Sequence, residues 1–312
     1  MAYLLGLVPT ILTLGTIYAL AASGYTLIHA VTRRFHLAVG ALFALGAYAC
    51  FVSFAMLDIL GVQSALAIVG AAAAIALAAS AAGGAALHAF HLVRPGAGAN
   101  PTAPLVVTVG LLIASAEAIR LLHESHTLFL PPPLAGTAMI RAGGELFVVP
   151  VRVLAVFPVG LAAWIAAALL LARSRLGRAV RAVADDPGMA RLLGISVDRT
   201  VLCAFVVGGL LAGFAGMLST ERYGAVWPYM GLLLGLKAIA AAIIGGIGSL
   251  GGALVVGFVI AGVETLWTAY VSGEYRDIAL FALLVLALIF RPDGLFARPV
   301  VDPISGPGGA RH

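Results

Sequence analysis

Residues 172–200 read ARSRLGRAVRAVADDPGMARLLGISVDRT and are the one long polar stretch of an otherwise apolar chain. Six arginines lie within it, and hydrophobic runs long enough to cross a bilayer flank it on both sides. Positively charged loops of membrane proteins are kept on the cytoplasmic side. The stretch therefore predicts a protein that crosses the membrane several times and exposes a loop, residues 173–199, to the cytoplasm.

The same loop is predicted to contain short helical pieces. Asp185-Asp186-Pro187 is typical of a helix start, with a capping carboxylate and a proline in the first turn, and Gly194 is typical of a helix end. A short amphipathic helix in a cytoplasmic loop indicates a docking element for a soluble partner. The alternative is a solvated loop that only fixes the topology. The residues that give these pieces an apolar face are Ala179, Val183, Met189, Leu192, Leu193 and Ile195.

The composition is that of a membrane protein. The chain has 312 residues, of which 62% are hydrophobic and 10% charged, and its mean hydropathy is +1.11. Soluble domains average about 25% charged residues. The fold class predicted is all-α, a polytopic transmembrane helical bundle surrounded by membrane lipid. The net charge of +5 comes mostly from arginines at span ends and in one loop, so no nucleic-acid partner is predicted.

Nine apolar segments predict about nine crossings, with eight to ten allowed by the two over-long segments and the short last one. Residues 1–301 are predicted to form a single transmembrane domain, and the Gly/Pro-rich tail 302–312 is predicted to be disordered. With the arginine-rich loop inside, the segment 123–147 is expected to be periplasmic. The apolar segments are 4–31, 36–57, 62–90, 104–122, 148–172, 201–219, 231–248, 251–271 and 278–290.

A glycine cluster interrupts the apolar sequence at residues 245–252, which read GGIGSLGG. Each glycine inside a helix costs about 1 kcal/mol relative to alanine. The cluster therefore predicts a tight break at the cytoplasmic side of the bundle. The residues assigned to this break are Gly245, Gly246, Gly248, Gly251 and Gly252.

Ionisable residues inside predicted spans are costly and are candidates for function. Lys237 and Glu264 are expected at similar depth on two spans joined by a short turn, which predicts that they form an ion pair. The alternative is that each reaches the interface or hydrogen-bonds separately. Glu117 and Arg120 lie three residues apart on one helix and are predicted to neutralise each other.

Motifs of nucleotide binding and catalysis are absent from the sequence. No G-x-x-x-x-G-K-[ST] and no G-x-S-x-G occurs, and His123-Glu124-Ser125-His126 is one residue short of H-E-x-x-H. No catalytic residue, metal site or cofactor is therefore predicted, and the chain is not expected to be an enzyme.

The arginine-rich loop at 175–199 closely resembles the cytoplasmic coupling loop of permeases of the branched-chain amino-acid type, which are subunits of bacterial ABC importers. Further motifs match that family in order and spacing, and the resemblance covers about residues 15–298. The ordered set is highly specific, although no single motif is. The matching blocks are GTIYALAASGYT at 15–26, AGFAGM at 212–217, Tyr229 with Gly235-x-Lys237, GGIGS at 245–249, GVETL at 262–266 and RPDGLF at 291–296.

The resemblance implies a multi-pass permease of the bacterial inner membrane within an ATP-driven importer. Its implied partners are a second homologous permease or a second copy of itself, a periplasmic substrate-binding protein, and two cytoplasmic ATPases that bind ATP and Mg. Residues 185–195 would dock on one ATPase. The coupling residues are then Asp185, Asp186, Met189, Arg191, Leu192, Leu193, Gly194 and Ile195, and the candidates for the translocation path are Tyr25, His36, Lys237 and Glu264.

One departure from the family concerns the solute. Where the family carries a polar I-N-F-A-H-G-E run, this chain reads FHLAVGA at 35–41, with His36, Val39 and Ala41 replacing the usual Asn, His and Glu. The path is therefore expected to be less polar. The solute predicted is a branched-chain or related amino acid, or another small carboxylate or amide, and a urea or simple-sugar permease stays possible.

Two other classes of transport protein are considered from the residues alone. A proton- or sodium-coupled secondary transporter would use Lys237 and Glu264 as coupling residues and would need no ATPase. A channel would need a hydrophilic pore lining, for which too few polar residues are present. Co-purification of an ATPase separates the first class from an ABC importer.

Overall fold

A computed structural model describes residues 2–62, 64–92, 103–123, 126–129, 136–142, 145–291 and 294–296. Over these ranges the protein is a helical bundle, and the all-α prediction is confirmed. The tail 302–312, predicted to be disordered, lies outside the described residues.

Each of the nine predicted apolar segments coincides with a helix, and two further short helices lie in the arginine-rich loop. The helices are α1 (Ala2–Thr32), α2 (Val39–Ile59), α3 (Ala65–Leu92), α4 (Ala103–His123), α5 (Val151–Arg173), α6 (Arg175–Asp185), α7 (Pro187–Leu192), α8 (Val197–Tyr223), α9 (Met230–Gly245), α10 (Leu250–Tyr270) and α11 (Arg276–Phe290).

Seven of these helices, namely α1 to α5, α8 and α10, are long and apolar enough to cross a membrane. Helices α9 and α11 have 16 and 15 residues. At a rise of 1.5 Å per residue they extend about 24 and 22 Å, less than the bilayer core of about 30 Å. The predicted count of about nine spans is therefore reached only if these two shorter helices are included.

Two short antiparallel strand pairs accompany the helices. Strands β2 (Thr137–Ala142) and β3 (Glu145–Pro150) form a hairpin, with Thr137 opposite Pro150. Strands β1 (Leu128–Phe129) and β4 (Ala225–Val226) pair in the same antiparallel sense. The apolar run predicted as 148–172 is thus divided, because proline has a fixed φ and disfavours helix before it. Residues up to Pro150 are extended and α5 begins after it.

Helix α1 lies at the centre of the bundle. It packs against α8 and α10 most extensively and also against α9 and α5, while α2 packs against α8, α3 and α9. Most of α1 is buried, whereas α3, α4 and α5 are largely exposed along their apolar lengths. In a bilayer such exposed apolar faces meet lipid or another subunit, because lipid tails are as apolar as leucine.

Glycines allow the buried helices to cross at close range. A Cβ at Gly46 would overlap the carbonyl oxygen of Gly213 on α8, and a Cβ at Gly40 would overlap that of Gly231 on α9. Small residues let helix backbones approach closely in membrane proteins. The crossings of α2 with α8 and with α9 therefore require glycine, which has no side chain, at these positions.

Candidate functional site

The arginine-rich loop forms two capped helices that lie against the bundle. The Ser174 hydroxyl accepts a hydrogen bond from Gly177 N (3.0 Å) at the start of α6. The Asp186 carboxylate accepts from Gly188 N (2.7 Å) and Met189 N (3.1 Å) at the start of α7. Asp186 therefore caps the N-terminus of α7, as the sequence predicts. Gly194 follows α7 with a φ of +80°, which ends the helix and allows α8 to begin at Val197.

The two helices bury small and β-branched side chains and expose large ones. Val180 and Val183 of α6 and Ala190 of α7 are buried against the bundle. Met189, Leu192 and Leu193 are 55, 83 and 74% exposed. We call these three side chains the apolar patch. The apolar face predicted for the loop is therefore divided, because one part packs on the core and the other faces solvent.

The remaining residues assigned to coupling surround this patch. Asp185 is the last residue of α6, Arg191 lies in α7, and Ile195 is half-buried just before α8. Arg191 lies 4.0 Å from the Asp198 carboxylate, and both side chains are largely exposed. The structure thus brings the apolar patch and its charged neighbours to one surface.

Arg33 connects the turn after α1 to the end of α6. Its backbone has a φ of +50°, and its guanidinium donates to the carbonyl oxygens of Ala184 (2.7 Å) and Asp185 (2.8 Å). These carbonyls belong to the C-terminal turn of α6, where a basic side chain is favourable. Arg181 donates to Leu171 O (2.7 Å) on α5 in the same way. These hydrogen bonds connect the loop to the ends of α1 and α5.

The glycine cluster interrupts the helix between α9 and α10. Gly245 is the last residue of α9, and Gly246 and Gly248 have φ of +87° and +94° in the turn. Gly251 and Gly252 lie in the first turn of α10, where the Ser249 hydroxyl accepts from Gly252 N (3.0 Å). Of the five glycines assigned to the helix break, Gly246 and Gly248 contribute to it through their positive φ angles.

Gly252→Ala is expected to destabilise the protein, whereas Gly251→Ala is not. A Cβ at Gly252 would overlap the Gly245 carbonyl oxygen, while a Cβ at Gly251 has no heavy atom within 4 Å. Overpacking of this kind typically costs about 1–3 kcal/mol. Thermal melting of the two purified variants in detergent measures the difference. Equal melting temperatures would contradict the close approach of α9 and α10.

Lys237 and Glu264 form a buried ion pair. Lys237 Nζ donates to Glu264 Oε1 (2.8 Å), and each side chain is 5% exposed. The turn between α9 and α10 places them on adjacent helices, as their estimated depths predict. Two charges buried this deeply need additional partners, because desolvation is costly.

Three residues that the sequence analysis does not identify complete a charge network around this pair. Tyr18 on α1 donates to Glu264 Oε2 (2.7 Å). Asp277 Oδ1 lies 2.8 Å from Lys237 Nζ, and Arg276 Nε lies 3.4 Å from Glu264 Oε1. Arg276 and Asp277 are the first two residues of α11 and lie just before the predicted segment 278–290. An R-D pair directly before an apolar run is the signal that could have revealed them.

The two other candidates for the translocation path lie elsewhere in the bundle. Tyr25 is fully buried, seven residues after Tyr18 on α1, with its ring 5.8 Å from that of His29. His36 lies beyond the end of α1, and its ring is 5.4 Å from that of Phe205 on α8. Tyr25, His36, Lys237 and Glu264 are all buried inside this chain, so they do not line an open channel in this conformation.

A second charged cluster joins α4 to the turn before α9. Arg120 Nε donates to Glu117 Oε2 (2.6 Å), as predicted for this pair, and Tyr229 donates to Glu117 Oε1 (2.8 Å). The carboxylate acceptor raises the pKa of the Tyr229 phenol above its usual value.

At the end of α8, Glu221 is buried and Arg222 donates to the Thr13 hydroxyl. The sequence analysis does not identify these last two residues.

Among the described residues, no group of three His, Cys, Asp or Glu side chains could hold a metal ion. Glu124 and Ser125 of the H-E-S-H sequence lie outside the described residues.

Comparison with known proteins identifies the family. Residues 7–288 match the model of the branched-chain amino acid transport system permease component. The chain is 34% identical to the high-affinity branched-chain amino acid transport system permease protein LivH of Salmonella typhimurium and of Escherichia coli, over 94% of this chain and 95% of each relative. It is 33% identical to the corresponding protein BraD of Pseudomonas aeruginosa, with the same coverage. No solved structure matches the chain.

The family match spans all the apolar helices of the bundle except the first residues of α1 and the end of α11, and it includes the arginine-rich loop. The chain is thus a transport subunit that crosses the inner membrane several times. It belongs to the family of branched-chain amino acid transport permease components, the membrane subunits of ABC transporters.

Proposed function

We propose that this chain is the permease subunit of an ATP-driven importer that receives its solute from a periplasmic binding protein. It would pair with a second homologous permease, or with a second copy of itself, and two cytoplasmic ATPases would dock on the coupling loops. The observation that carries this proposal is the apolar patch on α7, which nothing in the described part of the chain covers.

The patch has the composition of a docking surface. Leu192 and Leu193 are the most exposed residues of the patch, and Arg191 and Asp198 lie at its rim. An apolar centre with a polar rim is typical of protein interfaces. Burying one leucine side chain contributes about 1.5–3 kcal/mol. Contact with a groove on an ATPase would therefore stabilise the complex.

The hydrogen bonds of the loop supply a route from the ATPase to the bundle. A displacement of α7 would move α6, whose last carbonyls are held by Arg33 at the end of α1. Helix α1 packs against α5, α8, α9 and α10, so it contacts most of the bundle. Closure of the ATPases could thus separate helices around α1 and open a path.

Tyr25, His36, Lys237 and Glu264 are the proposed candidates for that path. Because all four are buried in this conformation, the path would form only when α1 separates from its neighbours. The solute proposed is an aliphatic amino acid or a related small carboxylate or amide, which is supported by relatives that are named for branched-chain amino acid transport.

The charge network argues against the secondary-transport alternative. Lys237 contacts two carboxylates and Glu264 contacts Tyr18, Lys237 and Arg276. A coupling residue must exchange its partner for a transported ion in each cycle. Groups with this many fixed partners are better suited to hold α1, α9, α10 and α11 together.

Reconstitution in proteoliposomes tests the proposed function. Uptake of leucine is expected only when the permeases, the ATPases, ATP and loaded binding protein are all present. Dissipating the proton and sodium gradients should leave this uptake unchanged. Uptake that needs an ion gradient and proceeds without ATPases would overturn the proposal in favour of secondary transport.

A further inference from the structure

The connection between α5 and α6, which we call the elbow, is tight. Ser174 is the single residue between the two helices, and its N–H donates to Leu170 O (2.9 Å). A Cβ at Gly177 would overlap the Leu171 carbonyl oxygen, so the first turn of α6 lies directly against the last turn of α5. Arg181 donates to the same carbonyl oxygen (2.7 Å). Helix α6 is therefore held against the end of α5.

Helix α6 lies at the depth of the bilayer surface. Its Val180 forms one buried hydrophobic cluster with Leu27, Leu171 and Ala204. These three residues lie within about two turns of the ends of α1, α5 and α8 that meet the arginine-rich loop. The apolar spans extend to these ends, which therefore mark the edge of the hydrocarbon core. Helix α6 thus occupies the layer of lipid headgroups.

The two faces of α6 differ in charge. Gly177 and Val180 are buried against the bundle. Arg175 and Arg178 each lie two residues before one of them, which places both arginines on the opposite side of a helix with 3.6 residues per turn. They are exposed, as is Arg173 at the end of α5. We call Arg173, Arg175 and Arg178 the basic cluster.

The basic cluster has no counter-charge in the part of the chain that the structure describes. None of its three guanidinium groups lies within ion-pair distance of a described carboxylate. Arg178 donates to the Arg173 carbonyl oxygen (3.3 Å), which brings the Arg178 side chain beside Arg173. The first turn of α6 contains no acidic residue. Since the N-terminus of a helix is partially positive, arginines are unfavourable there and an anion is favourable.

The exposed face of α5 beside the basic cluster is aliphatic. Ile165 and Leu169 are exposed and four residues apart, so they lie on one side of the helix, and Arg173 follows at the same spacing. Such a surface is matched by lipid tails, which are as apolar as leucine. The elbow thus presents an aliphatic surface and then three cations, in the order in which a phospholipid presents its acyl chains and its phosphate.

We propose that the elbow binds an anionic phospholipid of the cytoplasmic leaflet, the side on which basic loops are kept. The headgroup phosphate contacts the basic cluster, and an acyl chain lies along Ile165 and Leu169. The lipid supplies the counter-charge that the described chain lacks. It holds α6 at the bilayer surface and leaves the apolar patch on α7 free.

An ATPase is a less suitable occupant of the basic cluster than a lipid. Arg173 and Arg175 lie where α6 begins, whereas the apolar patch begins beyond the far end of that helix. Helix α6 has 11 residues and extends about 16 Å at 1.5 Å per residue. The basic cluster is therefore next to the membrane, and the apolar patch is separated from it by the length of α6.

Native mass spectrometry of the purified full-length chain tests the site, with dioleoyl phosphatidylglycerol and dioleoyl phosphatidylcholine as the added lipids. The two lipids have the same acyl chains and differ in net charge. Phosphatidylglycerol is expected to bind more tightly. Arg175→Gln with Arg178→Gln should weaken its binding about 25-fold, because each basic residue near an anionic lipid surface contributes a factor of about five.

Arg34→Gln with Arg199→Gln is the matched control, because both arginines are exposed and lie outside the elbow. It removes the same charge and should leave phosphatidylglycerol binding unchanged. Equal binding of the two lipids, or equal weakening by the two double variants, would overturn the proposal. Displacement of phosphatidylglycerol by glycerol 1-phosphate would overturn it too, since the elbow would then bind soluble phosphates without acyl chains.

Two further outcomes are decisive. If Arg175→Gln with Arg178→Gln does not fold, Arg173→Gln replaces it, with an expected weakening of about fivefold, and unchanged binding in that variant would contradict the lipid site. If the double variant binds phosphatidylglycerol like the wild type but no longer associates with the ATPases, the basic cluster is a protein surface and the proposal is wrong. The lipid titration uses this chain alone, so its result does not depend on the proposed function.

Discussion

Lys237→Met is expected to reduce the amount of folded protein in the membrane to a small fraction of the wild-type level. The change removes the ammonium that lies 2.8 Å from both Glu264 and Asp277, while the Glu264 side chain stays 5% exposed. Breaking a buried ion pair in this way costs about 3–5 kcal/mol, because one charge is left buried without its partner. Fluorescence-detected size-exclusion chromatography of membrane extracts measures the yield.

The double variant Lys237→Met with Glu264→Gln separates pairing from general damage. It should recover much of the yield, because the buried carboxylate is gone and Gln can still accept from Tyr18. Arg276→Met is the matched control, since that side chain is 46% exposed and lies 3.4 Å from the same oxygen. A double variant as damaged as the sum of both single variants would show that the two residues do not stabilise each other.

Leu192→Asp and Leu193→Asp are expected to abolish ATPase association and transport together. Both side chains are exposed, so the permease itself should still insert and fold. Each change replaces an apolar contact worth about 1.5–3 kcal/mol by a charge that must be desolvated in the interface. Co-purification of the ATPases and ATP-driven leucine uptake report the two losses.

Ser196→Asp provides the matched control for the added charge. Ser196 is exposed on the same loop and precedes α8 at its N-cap position, where aspartate is favoured. This variant should keep both ATPase association and transport. Wild-type association and transport in Leu192→Asp and Leu193→Asp would refute the docking role of the apolar patch.

The helical segments follow from the sequence because they depend on local properties. Hydropathy over about 20 residues decides which segments enter a bilayer, and all nine segments predicted in this way are helices. Asp186 and Gly194 were predicted at the ends of α7 because caps are also set by residues close in sequence. The hairpin of β2 and β3 was not predicted, because hydropathy assigned the end of its second strand to the apolar segment 148–172.

The candidate site was predicted in part. Lys237 and Glu264 could be paired from their depths, because a short turn connects their helices and leaves few other arrangements. Tyr18 is 246 residues away from Glu264 in sequence, and its hydrogen bond to that carboxylate depends on how α1 packs. In the same way, the contact of Arg33 with Ala184 joins residues 151 positions apart.

The sequence by itself determined that this protein is a helical membrane permease, where its helices lie, and that its arginine-rich loop contains capped helices. Only the tertiary structure decided which apolar side chains of that loop are free for a partner, with Val183 and Ala190 buried and Leu192 and Leu193 exposed. It also decided which groups surround Lys237 and Glu264. The physical reason is that helix formation and membrane insertion depend on neighbouring residues, whereas burial and charge pairing depend on helices that meet only after the chain has folded.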